Sequence, residues 1–124
     1  MSVFWVAIGG ALGSVLRYGA GLAVASIWPL HLYIATVLVN IIGSFLIGCA
    51  FSWFVIRPDL SEIAPLLLIT GVLGGFTTFS TFSLDVLHLV NGGQPVQALL
   101  YMSVTLVGAL CATWLGMTLI KFSL

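Results

Sequence analysis

The sequence predicts an all-α membrane protein of four transmembrane helices, with the third broken mid-membrane. Three observations predict it. The chain is 61% hydrophobic and only 5% charged, where a soluble domain carries about a quarter charged residues. Its apolar residues fall into four long runs separated by short polar or turn-forming segments. Inside the third run, Thr70 to Asp85 reads TGVLGGFTTFSTFSLD, a mixture of glycines, hydroxyls and phenylalanines that a plain membrane anchor does not need.

The first span is predicted over residues 3–28 and ends at Pro29; the second covers 32–56. A polar stop follows, Arg57-Pro58-Asp59-Leu60-Ser61-Glu62, in which Asp59 or Ser61 suits an N-cap and Glu62 a helix start. The third span is 63–90. Gly71, Gly74 and Gly75 weaken it, since each glycine costs about 1 kcal/mol relative to alanine in a helix interior. Asn91-Gly92-Gly93-Gln94-Pro95 then supplies a glycine C-cap and a proline for the next helix entrance. The fourth span is 96–122. Each run is about 24–28 residues, against ~20 needed to cross hydrocarbon. The 124 residues read as one integral membrane domain, with no soluble part, linker, repeat or cleavable leader.

Three basic and three acidic residues balance, which leaves no electrostatic footprint for nucleic acid. Soluble enzyme classes are excluded by composition, and no catalytic constellation is present. Cys49 and Cys111 lie within apolar runs and read as small membrane-buried side chains. Four spans put both termini on one side, together with Arg57 and Lys121, while Arg17 lies toward the other. That Lys/Arg bias is weak: insertion with the termini inside and insertion in both directions both fit, and the second allows an antiparallel homodimer. Gly9 and Gly13, Ser44 and Gly48, and Gly108, Ala112 and Gly116 recur at four-residue spacing. Such stripes allow close helix approach, within a subunit or across a dimer. Four short helices hardly enclose a solvated path alone, so oligomerisation is expected.

The few polar groups in the spans line up. Thr36, Asn40 and Ser44 form one stripe, and Tyr101 and Thr105 another. An amide deep in hydrocarbon costs several kcal/mol unless hydrogen-bonded, so Asn40 either ties helices together or serves a ligand. Phe79 and Phe82 are three apart, among the hydroxyls of Thr77, Thr78, Ser80, Thr81 and Ser83. Non-helical backbone survives at membrane depth only where protein or a water-filled cavity surrounds it. A carboxylate ring or pair, expected of a cation path, is missing; neutral donors and electropositive ring edges are present instead. That combination suits a small, hard anion that must shed water without being trapped. Arg17 and Asp85 sit toward span ends, as a pair, as helix-positioning charges, or as a funnel and an organiser of donors. Trp5 and Trp28, at opposite ends of the first span, suit interfacial anchoring.

Three segments, GGALGSVLRY (Gly9 to Tyr18), VNIIGSFLIG (Val39 to Gly48) and GVLGGFTTFSTFSLD (Gly71 to Asp85), resemble the CrcB/Fluc family of fluoride channels, in order and spacing, over essentially the whole chain. The resemblance implies an antiparallel, dual-topology homodimer in the cell (inner) membrane, in contact with lipid, with two fluoride pores lined by both subunits. It implies that Phe79 and Phe82 present ring edges to fluoride and that Asn40 donates to it. Ser80 and Thr81 belong to the adjoining hydroxyl stretch, and Tyr101 and Thr105 continue the polar track. It implies a structural sodium ion on the dimer axis, held by the backbone carbonyls of Gly74 and Thr77. Arg17 matches a vestibule arginine. Asp85 stands where many members carry glutamate, which shortens its reach toward the pore hydroxyls. The implied activity is passive export of fluoride that enters as HF. A small multidrug-resistance type exporter is the first rival, but its first-span glutamate has no counterpart here. A non-transporting membrane subunit explains the small-residue stripes but not the polar one.

Overall fold

The computed structural model describes all 124 residues. Its elements are α1 (Ser2–Ile27), α2 (Tyr33–Ile56), a composite third segment, and α6 (Pro95–Ser123). The third segment runs through α3 (Ile63–Pro65), a π-helical stretch (Leu66–Leu73) and α4 (Gly74–Phe76), then resumes as α5 (Phe79–Asn91). Four segments are long and apolar enough to cross a membrane: Ser2–Ile27, Tyr33–Ile56, Ile63–Asn91 and Pro95–Ser123. Each bound falls within a residue of the sequence expectation. The chain is a multi-pass integral membrane protein.

The joints follow the local chemistry. The Trp28 N–H closes α1 on the Val24 carbonyl at 2.7 Å, and Pro29 cannot continue the helix. In the α2–α3 loop Asp59 is engaged by Arg57, through bonds of 3.1 Å from Nε and Nη2. The N-cap position is taken by Glu62, without a side-chain cap bond, rather than by Asp59 or Ser61; the Ser61 Oγ accepts from the Ile63 N–H at 3.2 Å. The Arg57 hydrogen bond holds the Asp59 carboxyl below its usual range, and the guanidinium lies 5.8 Å from the Trp53 ring centre. After α5, Gly93 takes a φ of +78°, and the Gln94 N–H returns to the Leu89 carbonyl at 2.9 Å. This is the glycine-ended helix stop anticipated from the sequence. Pro95 opens α6.

Two packing units result. The longest contact joins α2 to α6, and the next joins α1 to the π-helical stretch and α4. Both rely on glycine. A Cβ on Gly13 would collide with the Val72 carbonyl oxygen, and one on Gly9 would lie 2.8 Å from Gly71 Cα. Across α2–α6, Gly48 faces the Thr113 carbonyl and Gly116 the Phe45 carbonyl just as closely. The Gly9, Gly13, Gly48 and Gly116 positions are thus occupied inside one chain. Only 18 of 124 residues are buried, so most apolar surface faces outward, for lipid or another subunit.

Gly13→Ala is expected to lower thermal stability by about 1–3 kcal/mol, the usual cost of overpacking, because backbone rather than a movable side chain blocks the methyl. Gly19→Ala, whose methyl meets open space, should leave the melting temperature within a few degrees. Thermal unfolding in detergent checks both.

Candidate functional site

The break in the third segment is built by a side chain 38 residues away. Thr77 and Thr78 leave the helix with extended backbone, φ −86° and ψ 156°, then φ −152° and ψ 120°. At Thr78 both main-chain groups are met by Asn40. Its Nδ2 donates to the Thr78 carbonyl at 3.0 Å, and its Oδ1 accepts from the Thr78 N–H at 2.8 Å. The Thr78 hydroxyl then caps α5, accepting from the Thr81 N–H at 3.2 Å. The same oxygen lies 3.2 Å from Thr81 Oγ1 and 3.3 Å from Ser80 Oγ. Upstream, the Thr77 N–H and hydroxyl both bond to the Leu73 carbonyl, at 3.0 and 2.9 Å.

These bonds divert donors that a continuous helix would use. The Thr78 N–H would reach the Gly74 carbonyl, and the Thr81 N–H the Thr77 carbonyl. Both go elsewhere. The two carbonyls expected to hold a cation therefore lack their regular partners. Peptide oxygens with free lone pairs are hard ligands, suited to a hard cation.

Two cavities meet at Thr78, which lines both. The first, of about 350 Å³, includes Asn40, Ser44, Thr77, Phe79, Phe82 and Thr105 in its wall. Thr105 is 4% exposed, and its Oγ1 has no hydrogen-bond partner. Phe82 is buried and stacks on Tyr101, ring centres 5.3 Å apart and planes at 30°. Phe79 is 74% exposed, 5.4 Å from Phe82. The second cavity, of about 390 Å³, includes Ser14, Arg17, Thr36, Thr81 and Asp85.

The predicted site residues therefore separate into groups. Asn40, Thr77, Phe79, Phe82 and Thr105 line the first cavity; Arg17, Thr81 and Asp85 line the second. Ser80 lines neither and meets Thr78 instead. Tyr101 links the groups: its ring stacks on Phe82 and its hydroxyl donates to Asp85 Oδ2 at 2.9 Å. The shorter stem of Asp85 still reaches a hydroxyl. Arg17 and Asp85 share a cavity without forming an ion pair; the ion pair of the chain is Arg57–Asp59. Thr78 is the residue at the centre of this geometry that sequence reasoning did not single out. Its signal is a threonine immediately before the resumed helix, a preferred N-cap.

Fold and site together define a polytopic membrane protein with a broken helix beside a hydroxyl- and phenylalanine-lined cavity. A family profile described as "CrcB-like protein, Camphor Resistance (CrcB)" matches residues 4–117. The chain is 42% identical over 120 residues to the "Fluoride-specific ion channel FluC" of Pseudomonas fluorescens (strain SBW25), covering 97% of each. It is 46% identical over 116 residues, 94% of each, to the protein of that name from Azotobacter vinelandii. With that of Stutzerimonas stutzeri it shares 44% over 118 residues, 95% of each. The chain belongs to the CrcB-like family.

Asn40→Leu strands the Thr78 N–H and carbonyl in a buried site, at about 1–3 kcal/mol each. A loss of about 2–6 kcal/mol is expected by thermal or denaturant unfolding.

Proposed function

We propose that this chain is the subunit of a fluoride-selective passive channel. The observation that carries the reading is the first cavity, where an orphaned Thr105 hydroxyl stands beside Asn40 and two phenylalanines. A buried hydroxyl without a partner costs about 1–3 kcal/mol, a cost that a ligand accepting its proton removes. Asn40 has one amide N–H remaining after its bond to Thr78. Tyr101 covers one face of Phe82, which favours approach of an anion at the ring's electropositive edge. Fluoride, small and strongly hydrated, exchanges water for these donors without meeting a fixed cation. Arg17 lines the neighbouring cavity rather than this one; a unit charge ~10 Å away through water contributes only about 0.4 kcal/mol. That concentrates an anion about twofold and does not trap it. The names of the relatives agree with the same ion.

The reading extends to an antiparallel, dual-topology homodimer in which the break at Thr77–Thr78 lies at membrane depth and each of two pores takes residues from both subunits. The small Lys/Arg bias and the exposed Phe79 at the cavity wall support it. A structural sodium ion would sit where the Gly74 and Thr77 carbonyls of both subunits converge, with hard oxygens as its ligands. When bound, it would neutralise carbonyl dipoles facing one another across the axis. The expected consequence is that replacing sodium with N-methylglucamine lowers the melting temperature of the purified dimer. Indifference to sodium in both melting and dimer fraction would remove the ion from the proposal.

Liposomes holding the purified dimer should release fluoride rapidly, without proton coupling, while matched vesicles retain chloride. Absence of fluoride release from a verified dimer would reject the channel reading. Phe79→Ile or Phe82→Ile should abolish flux with the dimer intact. Thr105→Val separates ligand binding from packing. It removes an unsatisfied hydroxyl at nearly constant shape, so stability should hold or rise, while fluoride flux falls by about tenfold (one lost hydrogen bond to the ion, ~1.4 kcal/mol). Native flux in Thr105→Val would show that the hydroxyl does not meet the ion.

A further inference from the structure

Five aromatic rings run from the α1–α2 loop to the helix break. His31 meets Tyr33 edge-on with ring centres 5.8 Å apart. Tyr33 meets Tyr101 at 5.4 Å and 79°, Tyr101 stacks on Phe82, and Phe82 lies 5.4 Å from Phe79. Two rings of this series are held from outside it, Tyr101 by Asp85 and Tyr33 by α6. The Gln97 side-chain N–H of α6 donates to the Tyr33 hydroxyl oxygen.

We propose that Tyr33 and Gln97 are positioning residues that hold the Tyr101 ring, and through it Phe82, at the cavity; the proposal rests on the channel reading above. The Tyr101 ring is fixed in three ways: Phe82 on one side, Asp85 at its hydroxyl and the edge-on Tyr33 ring. Tyr33 is only partly buried, and a cavity of about 250 Å³ lined by Tyr33, Gln97, Leu100, Tyr101 and Val104 lies beside it. Without the hydrogen bond to Gln97, the Tyr33 ring has room to turn away. Tyr101 then loses a wall, and its stack on Phe82 loosens. The bond is not needed to dock α2 on α6, because that contact is the most extensive in the chain and closes at Gly48 and Gly116. A role confined to helix docking therefore predicts little effect on the pore, and the positioning role predicts a specific one.

The test compares Tyr33→Phe, Gln97→Leu and the double variant as full-length dimers in liposomes. Melting temperature is measured alongside, and a 3-fluorotyrosine placed at position 101 is read by fluorine NMR. Each single variant is expected to lower initial fluoride efflux roughly tenfold with the dimer intact, and the double variant no further, as residues acting as one unit behave. Gln97→Glu, whose carboxylate can reverse the bond by accepting from the Tyr33 hydroxyl, should recover flux to within about threefold of native. The fluorine signal should shift or broaden in both single variants. An unchanged fluorine signal, native flux in either single variant, or multiplied losses in the double would overturn the proposal. If Gln97→Leu does not assemble, Tyr33→Phe, which removes one oxygen, decides alone. If the native protein passes no fluoride, the channel reading fails, and the fluorine signal still decides whether the pair holds Tyr101.

Discussion

The hydrogen-bonded pair between the Asn40 amide and the Thr78 backbone is the interaction on which the remaining site geometry depends. A buried helix cannot open without leaving main-chain groups unpaired. Asn40 is matched to that problem, since one amide offers a donor and an acceptor in one plane. It takes both groups of Thr78 at 3.0 and 2.8 Å. Thr78 stays extended, and its hydroxyl is placed to start α5. The diverted donors leave the Gly74 and Thr77 carbonyls without their usual helical partners, and the new helix start places Phe79 and Phe82 at the cavity. With whole-protein stabilities commonly near 5–15 kcal/mol, two stranded groups at this point would consume a large share.

The break also falls at a mechanical joint. Upstream, the π-helical stretch and α4 are held against α1 by backbone contact at Gly9, Gly13 and Gly75. Downstream, α5 belongs to α6 through Phe82 and Tyr101 and through Leu89 and Ala98. A continuous rigid helix would have to satisfy both partners with one axis. The π-helical turns, which carry more residues per turn than an α-helix, and the extended pair at Thr77–Thr78 give each half its own orientation. Gly43 makes room at the joint, because a Cβ there would strike the Thr77 methyl. Glycine at these positions answers to shape more than to flexibility.

The four helices were legible because each is a long apolar run ended by Pro, Gly or a charged loop, signals that act locally. The interruption was legible in part: three glycines in one apolar run mark weakness but do not say where the chain leaves the helix. That position is set by Asn40, 38 residues earlier, and no periodicity encodes a contact of that range. The same limit hid the division of the candidate residues into two cavities. Arg17, Thr81 and Asp85 come together only once α1, α2 and α5 are packed. The Tyr33–Gln97 bond lay out of view for the further reason that both residues are ordinary choices at the start of a membrane helix. The resemblance in the segment Gly71 to Asp85 supplied roles for residues, whereas the hydrogen bonds supply the reasons those residues can hold their positions.

Neutral donors suit an anion only where water is scarce, and that condition bears on the assembly. A hydroxyl or amide facing bulk water gains little from fluoride, since water competes for both partners and the net value of a hydrogen bond falls to about 1 kcal/mol. In a low-dielectric enclosure the same bond is electrostatically stronger. In the single chain the first cavity is partly open, and one of its two phenylalanines is largely exposed. Closing that side requires an apolar surface able to cover Phe79 while leaving the Thr105 hydroxyl and the Asn40 amide facing inward. Lipid tails would close it but supply no continuous path. A second copy of the chain, as proposed, would bring both apolar cover and further hydroxyls, and an antiparallel copy would bring them at matching depth from each side of the membrane. The proposed dimer would therefore serve a dielectric end as well as a geometric one: with another protein surface completing the wall, the same neutral donors would meet a hard anion away from competing water.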